Sequence, residues 1–392
     1  MTTVNIDQYN QYMENDWISA EDALAKLSIK PQSLYAYVSR GLLRSQADPN
    51  DSRKSLYSHH DVRALLERKR RPRGRADVAA AAISWGDPVL ESGISTVRDG
   101  QLYFGPDLAI DLASYATLED VAAKHWAVSI AASDQPSFPI PSASTAKARG
   151  YAFLADEASN GTPSLGRTLD ALANRDGVRL LSGFADAMIG ARHVGDIHTR
   201  LQAAWQLSDA DGDIIRRALI LLSDHELNPS AFAVRVAAST GPPLAAAVLA
   251  GYATLNGPRH GNASSLAMQF LTDATQTNDL GSLIGQHSRL GGYTMGFGHA
   301  LYPAGDPRAI NLLGALNMPP KLAEIITETE HMLGHKPNID AALSAMAMTL
   351  NLPKGAPFCL FAISRMAGWL AHAMEQVASG QMIRPRANFV PR

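Results

Sequence analysis

The sequence has one cysteine, no long apolar run and almost no net charge. Cys359 is the only cysteine among 392 residues, which excludes an internal disulfide and a cysteine-based metal site. It lies in the apolar run APFCLFAIS, where a buried thiol is expected rather than a nucleophile. No stretch is apolar for long enough to span a bilayer, and the first residues lack the basic start and apolar core of a signal peptide. We therefore expect a cytoplasmic protein without a membrane partner.

Charged residues are unevenly distributed, although the net charge is only −2. Residues 26–75 contain 13 Lys and Arg against 4 Asp and Glu, a local charge of +9, which leaves −11 for the remainder. After residue 76 the sequence is rich in Ala and Leu at helical spacing, and alternating strand-like runs are scarce. The pattern predicts a small basic domain at residues 1–75, followed by an all-α body.

Residues 17–44 have the pattern of two short helices joined by a tight turn. Ser19 is a candidate N-cap with Asp22 three residues later, and Pro31 suits the first position of a second helix, which is expected to stop at Gly41. A hairpin or wing and a further helix follow. The region resembles the winged helix-turn-helix of the MerR or excisionase type, which implies DNA binding. The alternative is a small docking domain with a basic face.

The residues expected to contact DNA phosphates are basic and lie in or beside this pattern. They are Arg40, Arg44, Arg53 and Lys54, together with the basic run RKRRPRGR at residues 68–75. A dimer of such domains is expected to bind two half-sites.

Three histidines in the helical body lie at the ends of predicted helices or beside glycine. His225 follows a run with helical spacing and is expected to face inward. His260 lies in LNGPRHGNAS, and His299 lies in GGYTMGFGHALYPAGDPRA, which also contains Arg308. A single inward histidine is more often a hydrogen-bonded core residue than a site residue. None of the three has the spacing of a zinc site, so no bound metal is expected.

A carboxylate and a buried cation complete the candidate set. Asp340 follows Pro337 and Asn338, which suits a helix N-cap region or a carboxylate aimed into a cleft. Arg365 lies in a strongly apolar helix, on one face with Phe361 and Trp369. Because an unpaired buried guanidinium is very costly, Arg365 either reaches solvent or binds a carboxylate. Acid–base groups beside cations suit proton abstraction next to a carbonyl.

Five blocks in this order resemble citrate synthases, over roughly residues 86–392. The blocks are HELNPSAFAVRVAAST, LNGPRHGNAS, GFGHALYPAGDPRA, PNID and ISRMAGWLAHAMEQ, and the closing IRPRANF is similar as well. The resemblance implies the citrate synthase fold, working as a homodimer with its active site in a cleft. It implies a large domain at residues 76–257 and 346–392 and a small domain at 258–345.

The resemblance also implies roles for individual residues. His260 hydrogen-bonds the thioester carbonyl of acetyl-CoA, Asp340 removes the methyl proton, and His299 polarises the ketone of oxaloacetate. Gly296 and Gly298 line the CoA site. The residues implied to hold oxaloacetate are His225, Arg308, Arg365 and, from the partner subunit, Arg386.

The implied activity is an acyltransfer that converts acetyl-CoA and oxaloacetate into citrate and CoA. Acyl-CoA enters as a substrate, and no bound cofactor is expected. Two alternatives stay open. One is a 2-methylcitrate synthase that uses propionyl-CoA, and the other is a DNA-binding regulator whose citrate-synthase-like body senses a metabolite.

Overall fold

The computed structural model describes residues 17–39, 42–48, 51–59, 61–62, 65, 90–130, 139–289 and 295–387. The chain divides into two compact units, Met1–Glu91 and Ser92–Arg392. The predicted boundary at residue 75 falls outside the described residues, so it stays a prediction.

The described residues of the first unit include two helices and a three-stranded antiparallel sheet. Its elements are β1 (Trp17–Ser19), α1 (Ala20–Leu27), α2 (Pro31–Ser39), β2 (Ser45–Asp48) and β3 (Asp51–Ser58). The strand order is β1-β3-β2. As predicted, Ser19 caps α1, because its hydroxyl accepts from the backbone of Asp22 at 3.1 Å, and Pro31 opens α2. Gly41 and most of the predicted further helix lie outside the described residues.

The second unit begins with a sheet, which corrects the expectation of an all-α body. Strands β4 (Ser95–Arg98), β5 (Gln101–Phe104) and β6 (Asp107–Leu108) pair antiparallel in sequence order. Asp99 and Gly100, both with positive φ, form the turn between β4 and β5. An Asp-Gly pair between alternating residues is a strong hairpin signal, and the low overall strand content concealed it.

The rest of the second unit is helical within the described residues. Its helices are α3 (Ala109–Tyr115), α4 (Leu118–Trp126), α5 (Ala146–Asn160), α6 (Leu169–Ala171), α7 (Val178–Ile189), α8 (Ile197–Trp205), α9 (Asp209–Leu222), α10 (Pro229–Ala238), α11 (Leu244–Leu255), α12 (Ala263–Gln276), α13 (Leu280–Arg289), α14 (Pro307–Gly314), α15 (Pro320–Leu333), α16 (Ile339–Thr349) and α17 (Ala356–Ser379). A π-helical turn, Leu172–Gly177, joins α6 to α7.

Helix α17 is the central element of the main core. Its 24 residues are buried along most of their length, and helices α4, α7, α9, α10 and α11 pack around it. Trp126 donates from its indole nitrogen to the carbonyl of Ala367 at 2.9 Å, which fixes α4 against α17. Among the described helices, none has both the length and the apolar composition needed to cross a membrane.

A second, smaller apolar cluster forms between α12, α13, α15 and α16. Phe270, Leu271, Ile325 and Ile326 are among its buried members. These residues fall within the range expected for the small domain, 258–345. The division into a large and a small domain stays a prediction, since the second unit is one compact body by its contacts.

Close packing of α10 and α11 depends on Gly251. A Cβ at this position would lie 2.4 Å from Cγ2 of Val234 and 3.2 Å from the carbonyl of Ser230. We expect Gly251→Ala to lower the free energy of unfolding by about 1–3 kcal/mol, the usual cost of overpacking a core. Gly285→Ala is the matched control, because no heavy atom lies within 4 Å of its added Cβ. In denaturant titrations this control should be neutral or more stable by about 0.5–1 kcal/mol. Equal stability of the two variants would contradict the packing argument.

Candidate active site

The two segments that precede His299 and Asp340 are joined by backbone hydrogen bonds. Gly298 donates from its backbone to the carbonyl of Lys336, and Asn338 donates to the carbonyl of Gly296, both at 2.8 Å. Gly296 and Gly298 have φ near +78° and +77°, a conformation that glycine adopts without strain. A Cβ on Gly296 would also lie 2.7 Å from the backbone nitrogen of Ala341. The glycine pair therefore lets the loop before His299 close onto the start of α16.

Asp306 connects this region to Arg308. Its carboxylate is fully buried and accepts from Nε and Nη2 of Arg308 at 2.9 and 2.7 Å. It also accepts from the backbone nitrogens of Arg308 and Ile339, both at 3.1 Å. One carboxylate thus caps α14, holds the guanidinium and ties α14 to the start of α16. Sequence analysis did not assign this role, although an aspartate before Pro307 is a typical N-cap signal.

His225 and His299 meet across Tyr302. The two imidazole centroids are 5.3 Å apart, and Nε2 of His225 lies 2.9 Å from the hydroxyl of Tyr302. The backbone of Leu301 donates to Nδ1 of His299 at 3.2 Å. Because Nδ1 accepts, the proton of the neutral His299 ring resides on Nε2, which is left as a donor. Tyr302 was not predicted, since only the folded loop places it between the histidines.

His260 is oriented by Ser230, a second residue that was not predicted. Nε2 of His260 lies 2.9 Å from the hydroxyl of Ser230, which accepts from the indole nitrogen of Trp369 at 3.1 Å. His260 also faces Phe361 at a centroid distance of 6.2 Å. The guanidinium carbon of Arg365 lies 5.0 Å from the centroid of the same ring.

Arg365 is buried and does not reach solvent, which excludes one of the two alternatives that the sequence left open; that it binds a carboxylate stays a prediction. Its residue is 1% exposed, and its Nε donates to the carbonyl of Leu222 at 2.8 Å. In the described part of the chain its Nη1 and Nη2 groups have no hydrogen-bond partner, so they are available to an anion.

Burial controls the charge of every histidine in this group. It lowers the pKa of His260 to about 3 and that of His299 to about 4. The pKa of His225 falls well below its usual value through burial and the charge of Arg308. The electrostatic effects of His260, His299 and Arg365 also act on His225, so the four side chains lie near one another. All three imidazoles are therefore neutral at pH 7 and act as hydrogen-bonding groups.

Asp340 is the ionisable group of the site that titrates near neutral pH. Burial raises its pKa to about 7, the charge of Asp306 adds to the rise, and Arg308 opposes it. Asn338 caps α16 by accepting from the backbone of Asp340 at 2.9 Å. The Oδ1 atom of Asp340 is buried without a hydrogen-bond partner among the described residues. A carboxyl group with this environment is suited to take up a proton from a carbon acid.

The remaining predicted residues lie outside this group or outside the described residues. Arg386 is exposed in the single chain. In the first unit Arg44 donates to both carboxylate oxygens of Asp61, at 2.9 and 3.0 Å, and Lys54 lies 3.6 Å from Asp51. Arg40, the side chain of Arg53 and the run at residues 68–75 are not among the described parts.

Solved structures with the same architecture include citrate synthases from thermophiles. The Thermoplasma acidophilum enzyme, in a ternary complex with carboxymethyl coenzyme A and oxaloacetate, has a TM-score of 0.64 and 24% identity. The alignment covers 78% of this chain and 94% of that one. Citrate synthase from Thermotoga maritima has a TM-score of 0.62, 22% identity and the same coverage. At this identity the likeness establishes the fold.

Curated relatives match about half of the chain. Citrate synthase 2 of Bacillus subtilis is 33% identical over 195 residues, which are 46% of this chain and 52% of the relative. The 2-methylcitrate synthase of Shewanella oneidensis is 30% identical over 227 residues, 55% of this chain and 59% of the relative. The chain therefore spans between half and three fifths of the length of these relatives.

A family model for the citrate synthase C-terminal domain matches residues 180–386. This range is more than half of the chain and includes the three neutral histidines, both arginines of the buried group and Asp340. The chain belongs to the citrate synthase family.

Proposed function

We propose that this protein condenses an acyl-CoA thioester with oxaloacetate, giving a citrate-type product and CoA. The observation that carries the proposal is the buried carboxyl of Asp340, with its pKa near 7, beside neutral imidazoles and buried guanidinium groups. Family membership supports the same reaction class.

In this mechanism Asp340 removes a proton from the carbon next to the thioester carbonyl. Such a carbon is a very weak acid, so the base succeeds only if the developing enolate charge is stabilised as it forms. We assign that stabilisation to His260. The Ser230 hydroxyl has one proton, which it donates either to Asn228 or to His260. When it donates to Nε2 of His260, the imidazole proton moves to Nδ1 and is available to the thioester oxygen.

The new carbon–carbon bond forms when the enol carbon attacks the ketone of oxaloacetate. Nε2 of His299 donates to the ketone oxygen, since its Nδ1 already accepts from Leu301. Arg308 and Arg365 bind the two carboxylates of oxaloacetate, a task that suits guanidinium groups held in place by other contacts. His225 completes the pocket. Water then hydrolyses the thioester product and releases CoA.

In the proposed site, a second copy of the chain contributes one residue, and a glycine-containing loop contacts CoA. Arg386 of a second copy supplies another cation to oxaloacetate, which accounts for its exposure in the single chain. The backbone of Gly296 and Gly298 lines the CoA site. Crosslinking of the intact protein tests the dimer.

The test of the reaction is a CoA-release assay with oxaloacetate and either acetyl-CoA or propionyl-CoA. We expect release that depends on oxaloacetate, and the faster of the two thioesters separates citrate synthase from 2-methylcitrate synthase. Asp340→Asn should lower kcat by about 10²–10⁴, the usual contribution of a general base, while oxaloacetate still binds. Turnover at the wild-type rate in this variant would remove Asp340 from the base role.

The rate should depend on pH through Asp340. Only its ionised form accepts a proton, so kcat/KM should rise as pH increases through about 7 and then level off. His260 and His299 should add no step near neutrality, because burial keeps their pKa values at about 3 and 4. The measurement is kcat/KM between pH 5.5 and pH 8.5, the limits being chosen about 1.5 units either side of that pKa. A flat profile would contradict the assignment.

Protein stability measured across the same pH range provides a control, because it should change in the opposite direction to the activity. The pKa of Asp340 is raised in the folded state, so the folded chain binds more protons than the unfolded chain between about pH 4 and pH 7. Its contribution to stability is complete at low pH and is lost as pH rises through about 7. If activity rises with pH while stability falls, the loss of activity at low pH is not caused by acid unfolding.

For the first unit we propose DNA binding as a second function. Helices α1 and α2 meet through a turn of three residues, 28–30, and the β2–β3 hairpin follows them, as in a winged helix-turn-helix. The local charge of +9 at residues 26–75 supports binding to a polyanion. Arg44 is ion-paired with Asp61 and Lys54 with Asp51, so on binding DNA these two exchange a carboxylate for a phosphate. Arg40, Arg53 and residues 68–75 carry the other expected phosphate contacts.

Salt dependence is the test of DNA binding. The full chain should shift duplex DNA at low salt, with affinity falling along a log–log slope near −0.9 for each phosphate contacted. Replacing Lys54 and Arg53 together by Ala should reduce that slope by about 2 units. Lys336→Ala, an exposed lysine of the second unit, is the control. If no DNA shifts at low salt, the first unit has a docking role instead.

A further inference from the structure

A chain of buried polar groups lies behind His225 and takes no part in the mechanism above. Nε of Arg235 donates to Nδ1 of His372 at 3.1 Å. Because Nδ1 accepts, the proton of this imidazole resides on Nε2, which lies 3.3 Å from Oδ1 of Asp224. The contact between these two atoms is not a well-formed hydrogen bond, and neither atom has a hydrogen-bond partner among the described residues. Oδ2 of Asp224 accepts from the hydroxyl of Ser95 at 2.5 Å.

Arg235, at the other end of this set of polar groups, is also fixed. Nη1 of Arg235 donates to Oε1 of Gln376 at 3.2 Å, and Arg235 forms an ion pair with Glu375. The carboxylate of Glu375 accepts from the backbone of Gly93 at 2.8 Å. The chain therefore joins α10, α17 and the segment that begins β4. His372 and Asp224 have no exposed surface, so neither is placed to contact a substrate.

Asp224 directly precedes His225, and α17 approaches its backbone closely. The backbone of Gly368 donates to the carbonyl of Ser223 at 3.2 Å. A Cβ on Gly368 would lie 2.4 Å from Oδ1 of Asp224, so only glycine permits this approach. Arg365, one helical turn earlier, donates to the carbonyl of Leu222. The segment that carries His225 is thus held by the same helix that carries Arg365.

The residue after His225 is anchored as well. Glu226 has φ of +49°, an uncommon conformation for a residue with a side chain, which persists only where the surroundings impose it. Its carboxylate accepts from the backbone of Val97 at 2.6 Å, and its backbone donates to the hydroxyl of Ser95 at 2.8 Å. His225 therefore lies between two carboxylates that are both fixed to β4.

Asp224 also affects Arg365 through its charge. Burial alone would raise the pKa of Asp224, but the attraction of His372, Arg365 and His125 outweighs it and keeps the carboxyl ionised. Burial lowers the pKa of Arg365 to about 10, and Asp224 opposes that fall. Asp224 is thus a counter-charge for Arg365 within the protein.

We propose that the Arg235–His372–Asp224 chain is a positioning device that holds His225 and Arg365 in the geometry that binds the carboxylates of oxaloacetate. The inference rests on the proposed condensation and deepens it, since it adds residues that set affinity for one of the two substrates. Asp340 and His260 are held by other contacts, so the device acts on oxaloacetate and not on proton removal from the thioester.

If the device acts through the alignment of His225 and Arg365, changing it should have the opposite effect on oxaloacetate affinity from a device that acts through the charge of Asp224. Removing the anion behind Arg365 and keeping the geometry would make the pocket more positive and tighten binding of oxaloacetate. Moving His225 and Arg365 out of alignment would weaken it. A variant that removes the contacts among Arg235, His372 and Asp224 but keeps the charge of Asp224 isolates the effect of alignment.

His372 provides that variant and its matched control. His372→Phe keeps a ring but removes the acceptor for Arg235 and the ring nitrogen that lies beside Asp224. His372→Gln has one amide that supplies both an acceptor and a donor. We expect His372→Phe to raise the Kd for oxaloacetate about tenfold or more, as for one charge-assisted hydrogen bond lost from alignment. His372→Gln should restore most of the affinity. The KM for acyl-CoA should change less than twofold in both.

Ser95→Ala is a milder variant in case His372→Phe fails to fold. It removes the hydrogen bond to Asp224 and the one accepted from the backbone of Glu226, and it should weaken oxaloacetate binding in the same direction. Asp186→Asn is the control for a purely structural effect. Asp186 forms a buried ion pair with Arg200 at 3.1 Å, so its variant should lower thermal stability and leave both KM values unchanged.

The measurements are oxaloacetate affinity by calorimetry, both KM values and thermal stability, all on the full chain. Stability losses in the His372 or Ser95 variants with unchanged oxaloacetate affinity would overturn the positioning role and leave the proposed function intact. An equal rise of both KM values would also overturn it. A wild-type chain that neither binds oxaloacetate nor releases CoA would overturn the proposed function itself, and the inference with it.

Discussion

The fully buried carboxylate of Asp306 is the contact on which the geometry of the site depends. It binds Arg308 through two side-chain hydrogen bonds and accepts from the backbone of Ile339, the residue before Asp340. A buried carboxylate is tolerated only when its acceptor sites are filled, so these contacts are mutually dependent. They place a fixed cation near Asp340 without neutralising that carboxyl, whose pKa remains near 7.

Burial has different consequences for the acids and the bases of the site. It disfavours the charged form of every group, so it makes the imidazoles of His225, His260 and His299 neutral donors or acceptors. The same effect makes Asp340 more basic. The guanidinium groups stay charged because their intrinsic pKa is so high. One apolar environment therefore yields neutral hydrogen-bonding groups, a proton acceptor and fixed cations, which together suit enolisation next to a bound dianion.

The groups around Asp340 and the segment that carries His225 are held by different sets of contacts. The loop at Gly296–Gly298 and the cap at Asn338 hold the groups around Asp340. Buried contacts of α17 and β4 hold His225 and the backbone beside it. Among the described residues, none of these hydrogen bonds is common to both sets. This separation is the basis for assigning an effect on one substrate to one set of residues.

Sequence by itself determined the helical body, the cap at Ser19, the start of α2 at Pro31 and the candidate residues of the site, since these depend on local spacing and on short motifs. It missed the β4–β6 sheet, because one Asp-Gly hairpin is a small signal within a helical composition. Only the tertiary structure decided that Arg365 is buried. It also decided that Tyr302 contacts His225, that Ser230 contacts His260, and that His372 lies beside Asp224. Such contacts join residues far apart in the chain, and the pKa of each group depends on the environment that they create.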